Sequence, residues 1–259
     1  MTLSGGDDGL GVRVETPRSE VGEDVLTLVV NWLLRALMAI AGLVLVYQGW
    51  PVARGAWQAQ KADAVVRELR NGEPMNLAEV TFGIDALSRA VAANPTAGRY
   101  LLRSELEGGA ALTPELRSNN TQLLNWLHDA RSDLEVGLRA APARSIDWLR
   151  LAAVRQTLDG PSREVIALLQ MSIRTGPWIA PVWPTRLRLI LDNWAYFSDE
   201  QMPKIQEYVL AMWRHSADRR FFAWTIRDPV DELIIRSTLR EEPGAQEELT
   251  RWILQYRKK

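Results

Sequence analysis

LTLVVNWLLRALMAIAGLVLVYQGW, residues 26–50, decides how the rest of the chain is read. It is apolar on every side of a helix and carries a single charge, Arg35. From Ala36 to Ala53 there is no Asp, Glu, Lys, Arg or His. A hydrocarbon core about 30 Å thick needs roughly 20 apolar helical residues to cross it, so the stretch predicts a transmembrane helix. Two registers are open. In the favoured one Ala36–Val52 spans, Arg35 reaches the interface along its own stem, and Trp32 at one end faces Tyr47 and Trp50 at the other as interfacial aromatics. In the other, Leu26–Val46 spans and Arg35 lies near mid-membrane, where it needs an acidic partner. Ala39 and Gly42 mark a small-residue side on which another membrane helix can pack. A buried core helix is rarely apolar all round for this length. The preceding residues hold Asp7, Asp8, Glu15, Glu20, Glu23 and Asp24, unlike the short basic flank of a cleaved signal peptide. An uncleaved anchor is expected.

The chain has 259 residues and a formal net charge of −1. Residues 1–50 hold six acids and three bases, which leaves the remainder at about +2, too even for a dedicated nucleic-acid binder. Cysteine is absent, which excludes disulfides, thiolate-ligated zinc and a thiol nucleophile. The expected organisation is a disordered tail over 1–20, a transmembrane anchor over 21–52, a linker helix over 53–75 and a helical-repeat domain over 76–259. Basic residues flank the anchor almost equally, Arg13, Arg18 and Arg35 before it and Arg54, Lys61, Arg67 and Arg70 after it, with a slight bias towards a cytoplasmic body.

Beyond the anchor the pattern is helical throughout. Pro51 predicts a kink or break. Asn71-Gly72-Glu73-Pro74 reads as a stop. Leu77, Val80, Ile84, Leu87 and Val91 form one face at spacings of three and four. Thr113-Pro114-Glu115 reads as a helix start, Gly108-Gly109 as a helix end, and Ser198-Asp199-Glu200-Gln201 as a capping box. Pro229 predicts a helix whose buried side is Leu233, Ile234 and Leu239. Pro243 predicts a last one, through Trp252–Tyr256 to a basic end, Arg257-Lys258-Lys259. No run alternates at period two for long enough to make a sheet. The fold class expected is all-α: one N-terminal transmembrane helix followed by degenerate helical hairpins.

Three prolines align an internal repeat: Pro95, Pro142 and Pro177. Eight residues before each is Leu87, Leu134 or Leu169; five before is Ala90, Gly137 or Ser172; four before is Val91, Leu138 or Ile173; five or six after is Tyr100, Trp148 or Trp183. A fainter copy ends at Ser216, with Tyr208, Ala211, Met212 and Phe222 in place and no proline. A small residue admits a neighbouring helix, a proline ends the turn, and an aromatic fills the groove. This resembles the second helix of one tetratricopeptide repeat entering the first of the next. Proline spacings of 47 and 35 residues, and the absence of an intact Trp-Leu-Gly-Tyr pattern, make it a degenerate array. Such units stack on neighbours to bury their apolar faces.

Within Ser172–Gln206 the order Arg174-Thr175-Gly176-Pro177, then Arg186-Leu187-Arg188-Leu189, Trp194 and Ser198 is similar to the C-terminal region of small membrane-anchored helical-repeat proteins of bacterial exopolysaccharide and O-antigen clusters, the VpsP-like polysaccharide biosynthesis proteins. The likeness covers about Ala86–Arg220. It implies a single-pass inner-membrane protein with a periplasmic body, accessory rather than catalytic. Its partners would be the membrane, proteins of an envelope assembly complex, and in one reading the polysaccharide itself.

The two histidines, His128 and His215, sit in no metal-ligand or nucleophile spacing, and no catalytic residue, cofactor or metal is expected. Asp231-Glu232 and Glu241-Glu242 are adjacent on helices and diverge. Arg174, Trp178, Trp183, Arg186, Arg188 and Trp213 make up the candidate binding surface, since indoles stack on sugars and guanidinium groups take acidic or phosphate groups. Core packing is the competing account of the tryptophans, including Trp194 and Trp224, and the Trp183, Leu187, Ile190, Trp194 spacing favours it. Arg186, one position off that stripe, is expected to bind the carbonyls of a preceding helix end or a partner carboxylate.

Overall fold

The computed structural model describes residues 20–110 and 120–257, with side chains from 27 and from 121 onward. Of the tail expected over 1–20, residues 1–19 lie outside the described residues and Glu20 opens a helix; the helix start at Thr113-Pro114 and the terminal Lys258-Lys259 also lie outside them. The described chain is all-helical, with no strand. By contacts it divides into two units, Met1–Pro51 and Val52–Lys259.

The first unit is dominated by α1, Glu20–Gln60. Its segment from Thr27 has an 18-residue window of mean hydropathy 2.1, and none of that window is buried within the protein. Trp32, Tyr47 and Trp50 are 68%, 82% and 65% exposed, and a Cβ on Gly42 would meet nothing within 4 Å. So long an apolar surface is too large for water to cover; the helix is long and apolar enough to cross a membrane. The break expected at Pro51 is not there: the proline lies inside α1. Its fixed φ is compatible with a helix; the ring removes one ladder hydrogen bond and crowds the carbonyl four residues back, without ending the helix. The helix stops instead at Lys61-Ala62, where Lys61 N–H donates to Gln58 O at 3.2 Å and Ala62 N–H to Ala59 O at 2.9 Å, a tightened i−3 turn.

The second unit continues with α2 (Asp63–Asn71), α3 (Leu77–Ala93), α4 (Ala97–Gly109), α5 (Asn120–Ala140), α6 (Ser145–Asp159) and α7 (Arg163–Thr175). Then follow α8 (Trp183–Asp192), α9 (Met202–His215), the short α10 (Phe221–Thr225), α11 (Pro229–Thr238) and α12 (Ala245–Arg257). Local signals account for most boundaries. Gly72 ends α2 in a left-handed conformation (φ 70°), and the Gly72 and Glu73 N–H groups return to Leu69 O and Glu68 O. Asn76 and Glu79 form a capping box on α3. Ser198 and Gln201 exchange the two bonds expected of them, at 3.0 and 3.3 Å, in the turn that leads into α9. Asp228 caps α11, with Pro229 in its first turn.

Three apolar clusters fill this unit. Ala62, Val65, Val66 and Met75 join Val80, Leu87 and Leu106, so the stretch expected as a linker helix supplies core to the body. Leu101, Leu127, Leu134, Leu138 and Leu151 make the second cluster. The third and largest gathers α6 to α12 around Leu169, Leu187, Ile190, Met212, Trp213, Phe222, Ile235 and Leu249. Consecutive helices α3 to α7 touch in order, α3 on α4, α4 on α5, α5 on α6 and α6 on α7.

The positions aligned on the three prolines take like roles. Leu87, Leu134 and Leu169 are each fully buried. Ala90 and Ser172 are fully buried, and a Cβ on Gly137 would stand 2.6 Å from Leu101. The indoles of Trp148 and Trp183 donate to Pro142 O at 2.7 Å and Pro177 O at 3.0 Å. Two expectations are corrected. Of the buried side expected for the Pro229 helix, Leu239 is fully buried and Ile234 partly so, but Leu233 is 67% exposed; Asp231 and Ile235 are buried in its place, because the inner face follows the Asp231 ion pair. Gly108 and Gly109 do end α4, as its last two residues with Ala110 as the cap, and Gly109 also packs closely, a Cβ there standing 2.7 Å from Leu69. The last helix opens at Ala245, two residues after Pro243, because Gly244 in between takes φ 72°.

Candidate functional site

The Arg174–Arg188 segment was expected to present a surface; most of it is built into a helix junction. Helix α7 ends at Thr175, where the carbonyls of its last turn have no helical partner. Arg186, on α8, is fully buried and turns its guanidinium onto them. Nη2 donates to Ser172 O and Gly176 O, both at 2.9 Å, and to Ser145 Oγ at 2.7 Å. Nη1 donates to Pro177 O at 3.2 Å and Tyr208 Oη at 2.8 Å, and Nε to Ser172 Oγ at 3.2 Å. No carboxylate takes part. The negative end of the α7 dipole and a ring of carbonyl and hydroxyl oxygens offset the cost of burying the charge. Tyr208 passes its own hydrogen to Pro177 O at 3.1 Å, and burial pushes its phenol above the ordinary tyrosine value against the opposing pull of Arg186.

Gly176 belongs to the same junction. Its backbone is extended, and a Cβ there would sit 2.8 Å from Ile179 and 2.9 Å from Ser145. Only glycine lets Ser145 come close enough to donate to Ser172 O at 2.8 Å. Of the residues that carry the sequence resemblance, Gly176, Pro177 and Arg186 thus close α7 onto α6, α8 and α9.

Arg188 is spent in a similar way. Nε reaches Asp192 at 3.0 Å and Nη1 reaches Asp231 at 2.6 Å, which ties α8 to the first turn of α11. Burial alone would raise the Asp231 carboxyl, but bonds from Arg188 and from the Arg227 N–H outweigh it and hold the group below the ordinary value. Trp183 is 4% exposed and Trp213 is 1% exposed, the latter edge-on to Phe222 at 5.1 Å with Arg219 over its ring. Of the six residues expected on the surface, Arg186, Trp183 and Trp213 are buried and Arg188 is paired with Asp192 and Asp231. Arg174 and Trp178 remain exposed. Arg174 lines a cleft of about 660 Å³ between α7 and α9 with Gln170, Gln201 and Lys204, whereas Trp178 stands apart, edge-on to His215 at 5.2 Å. They do not converge.

Two features escaped the sequence reading. One is a second cleft of about 420 Å³, lined by Asp218, Arg220, Ala223, Trp224, Trp252, Gln255 and Tyr256. Its only sequence signal was Trp252 and Tyr256 four apart on one helix. The other is Glu107, a 3% exposed carboxyl on α4. Arg103 lies 3.6 Å from it but gives both arms of its fork to Asp133, at 2.6 and 2.7 Å, and Glu107 Oε2 has no hydrogen-bond partner. Burial first, then the nearby Asp133, raises Glu107 to about 8, so the short distance to Arg103 is not an effective ion pair. Asp231 and Glu232 diverge, the first to Arg188 and the second to Arg236 and Arg257. Among the described residues no group of three or more His, Cys, Asp or Glu could hold a metal ion. Set against known proteins, the chain matches no family model, no curated protein and no solved structure.

Proposed function

We propose that the chain is a membrane-tethered helical adaptor of an envelope polysaccharide assembly complex in the bacterial inner membrane, its body a degenerate tetratricopeptide-like array on the periplasmic side. The observation that carries the tether is the apolar α1 surface, exposed from Thr27 to Arg54. The 18 residues between Arg35 and Arg54 hold no charge and at 1.5 Å per residue measure about 27 Å, close to a hydrocarbon core. Both arginines then reach opposite interfaces, the register in which Arg35 needs no partner. The array is supported by the shared roles of Leu87, Leu134 and Leu169 and by the matched indole bonds of Trp148 and Trp183. The polysaccharide assignment rests on the sequence resemblance alone. An adaptor role suits a body whose arginines and acids are largely paired with one another, as at Arg103 with Asp133 and Arg188 with Asp231.

A photocrosslinking residue at Trp178, exposed and clear of the junction, tests the partner in native membranes. Adducts with polysaccharide glycosyltransferases or export proteins are expected; adducts only with respiratory or transport subunits would sink the assignment. Alkaline phosphatase fused after Lys259 is expected to be active, and an inactive fusion would place the body in the cytoplasm.

A further inference from the structure

We infer that the cleft between α10 and α12 is a binding site for a neutral sugar ring. It does not rest on the adaptor reading, because it stands on the cleft's own lining. Trp224 on α10 is 54% exposed, Tyr256 on α12 is 55% exposed, and Trp252, one turn before Tyr256, is half-buried in the same wall. Large aromatic surface is ordinarily buried, and here two rings face solvent across a concavity. Its volume falls within the range of ligand pockets. Aromatic faces take the flat C–H side of a pyranose while its edge stays available for hydrogen bonds.

The polar edge is built for that. Ser216 Oγ donates to Asp218 O at 2.8 Å, and the Arg220 N–H donates to Asp218 Oδ1 at 3.0 Å, so the turn is folded before any ligand arrives. Arg220 holds Asp218 through Nε at 2.8 Å and Nη2 at 2.7 Å, which keeps the carboxyl ionised down to about 2. Those bonds use one hydrogen of Nη2 and leave its second hydrogen, the Nη1 hydrogens and a lone pair of Oδ2 for the donor and acceptor contacts of a sugar hydroxyl pair. Gln255 adds an amide with both functions. Arg220 and Asp218 cancel, and among the described residues the Tyr256 phenol is the one other ionisable group that lines the cleft, so this lining gives an acidic sugar nothing over a neutral one.

The test uses the full chain in zwitterionic nanodiscs, with cellotetraose and maltotetraose as neutral probes and tetragalacturonate as the acidic one, read by saturation transfer to the saccharide. At least one neutral probe is expected to bind. Trp224→Ala and Tyr256→Ala, both at exposed positions, are each expected to weaken it about tenfold, whereas Trp178→Ala, an exposed indole outside the cleft, leaves it unchanged. Thermal unfolding of each variant confirms that the body stays folded. Absence of transfer from both neutral probes, equal loss in Trp178→Ala, or stronger binding of tetragalacturonate overturns the inference. Quenching of Trp224 by brominated lipid also overturns it, by showing that the cleft lies against a bilayer. Failure of the crosslinking to polysaccharide proteins would leave this result standing, and the reverse also holds.

Discussion

At the residue scale, two buried charges behave oppositely. Arg186 is charged and fully provided with acceptors; its replacement exposes how much the α7 end depends on it. Arg186→Met leaves Gly176 O and the Ser172 and Ser145 hydroxyl oxygens without their Arg186 donor, while Pro177 O keeps Trp183 and Tyr208, and unfolding of the full chain in nanodiscs is expected to show a loss of about 3 kcal/mol or more. Arg186→Lys is expected to recover little, since an ammonium offers three donors from one point and cannot span acceptors on three helices. Glu107 is the reverse case, a carboxyl that stays protonated. Its folded value is about 8 against 4.5 in the unfolded chain, so the folded protein holds the extra proton between those values and stability falls as pH rises across that window. Glu107→Gln keeps the shape without the titration. It is expected to flatten the decline and to exceed the parent at pH 8 by on the order of 2 kcal/mol. An unchanged slope of unfolding midpoint against pH would refute this account of Glu107.

At the element scale, glycines separate propensity from packing. A Cβ on Gly108 meets nothing within 4 Å, so Gly108→Ala is expected to raise stability by about 0.5–1 kcal/mol. Gly137 stands against Leu101, with the nearest side-chain atoms 2.6 Å from an added Cβ, and Gly137→Ala is expected to lower it by about 1–3 kcal/mol although both sites are helical. Calorimetry on the pair checks both signs. The same contrast explains what was legible in sequence. Ser198 acts on its own neighbours within three residues, so its capping box could be read directly; Asn76 and Asp228 cap over the same short range without having been singled out in the sequence. Pro51 could not be read so, because the cost of its ring was set against the intact turns on both sides. Leu233 misled because the face of α11 is chosen by Asp231 reaching Arg188, 43 residues away. For the site, the residue types were legible and their use was not. Arg186 and Trp213 look like ligand chemistry in a one-dimensional string, and only the folded positions of Ser145 and Tyr208 show Arg186 to be occupied.

At the scale of the whole molecule, the register that α1 would take in a membrane is the testable property. If Arg35 and Arg54 mark the two interfaces, Arg35→Leu leaves membrane integration unchanged in a glycosylation-mapping insertion assay. Val44→Arg, placed midway, is expected to reduce it by about 2.5–3.5 kcal/mol. An equal loss from both substitutions would place Arg35 inside the bilayer and require an acidic partner for it. The body follows a different rule from the anchor. Its three apolar clusters run in chain order, and the last, from α6 to α12, is the largest.

The acceptors around Arg186 are carbonyls and hydroxyls, none of which takes up a proton in the acidic range. The tie between α8 and α11 weakens once acid reaches the Asp231 carboxylate, and exposed pairs such as Arg214 with Glu242 fade in concentrated salt. The Arg186 junction has no carboxylate to protonate and is shut away from ions. A body built around it keeps its centre through swings of acidity and salinity that loosen its rim, a durability suited to any compartment that does not control its own surroundings.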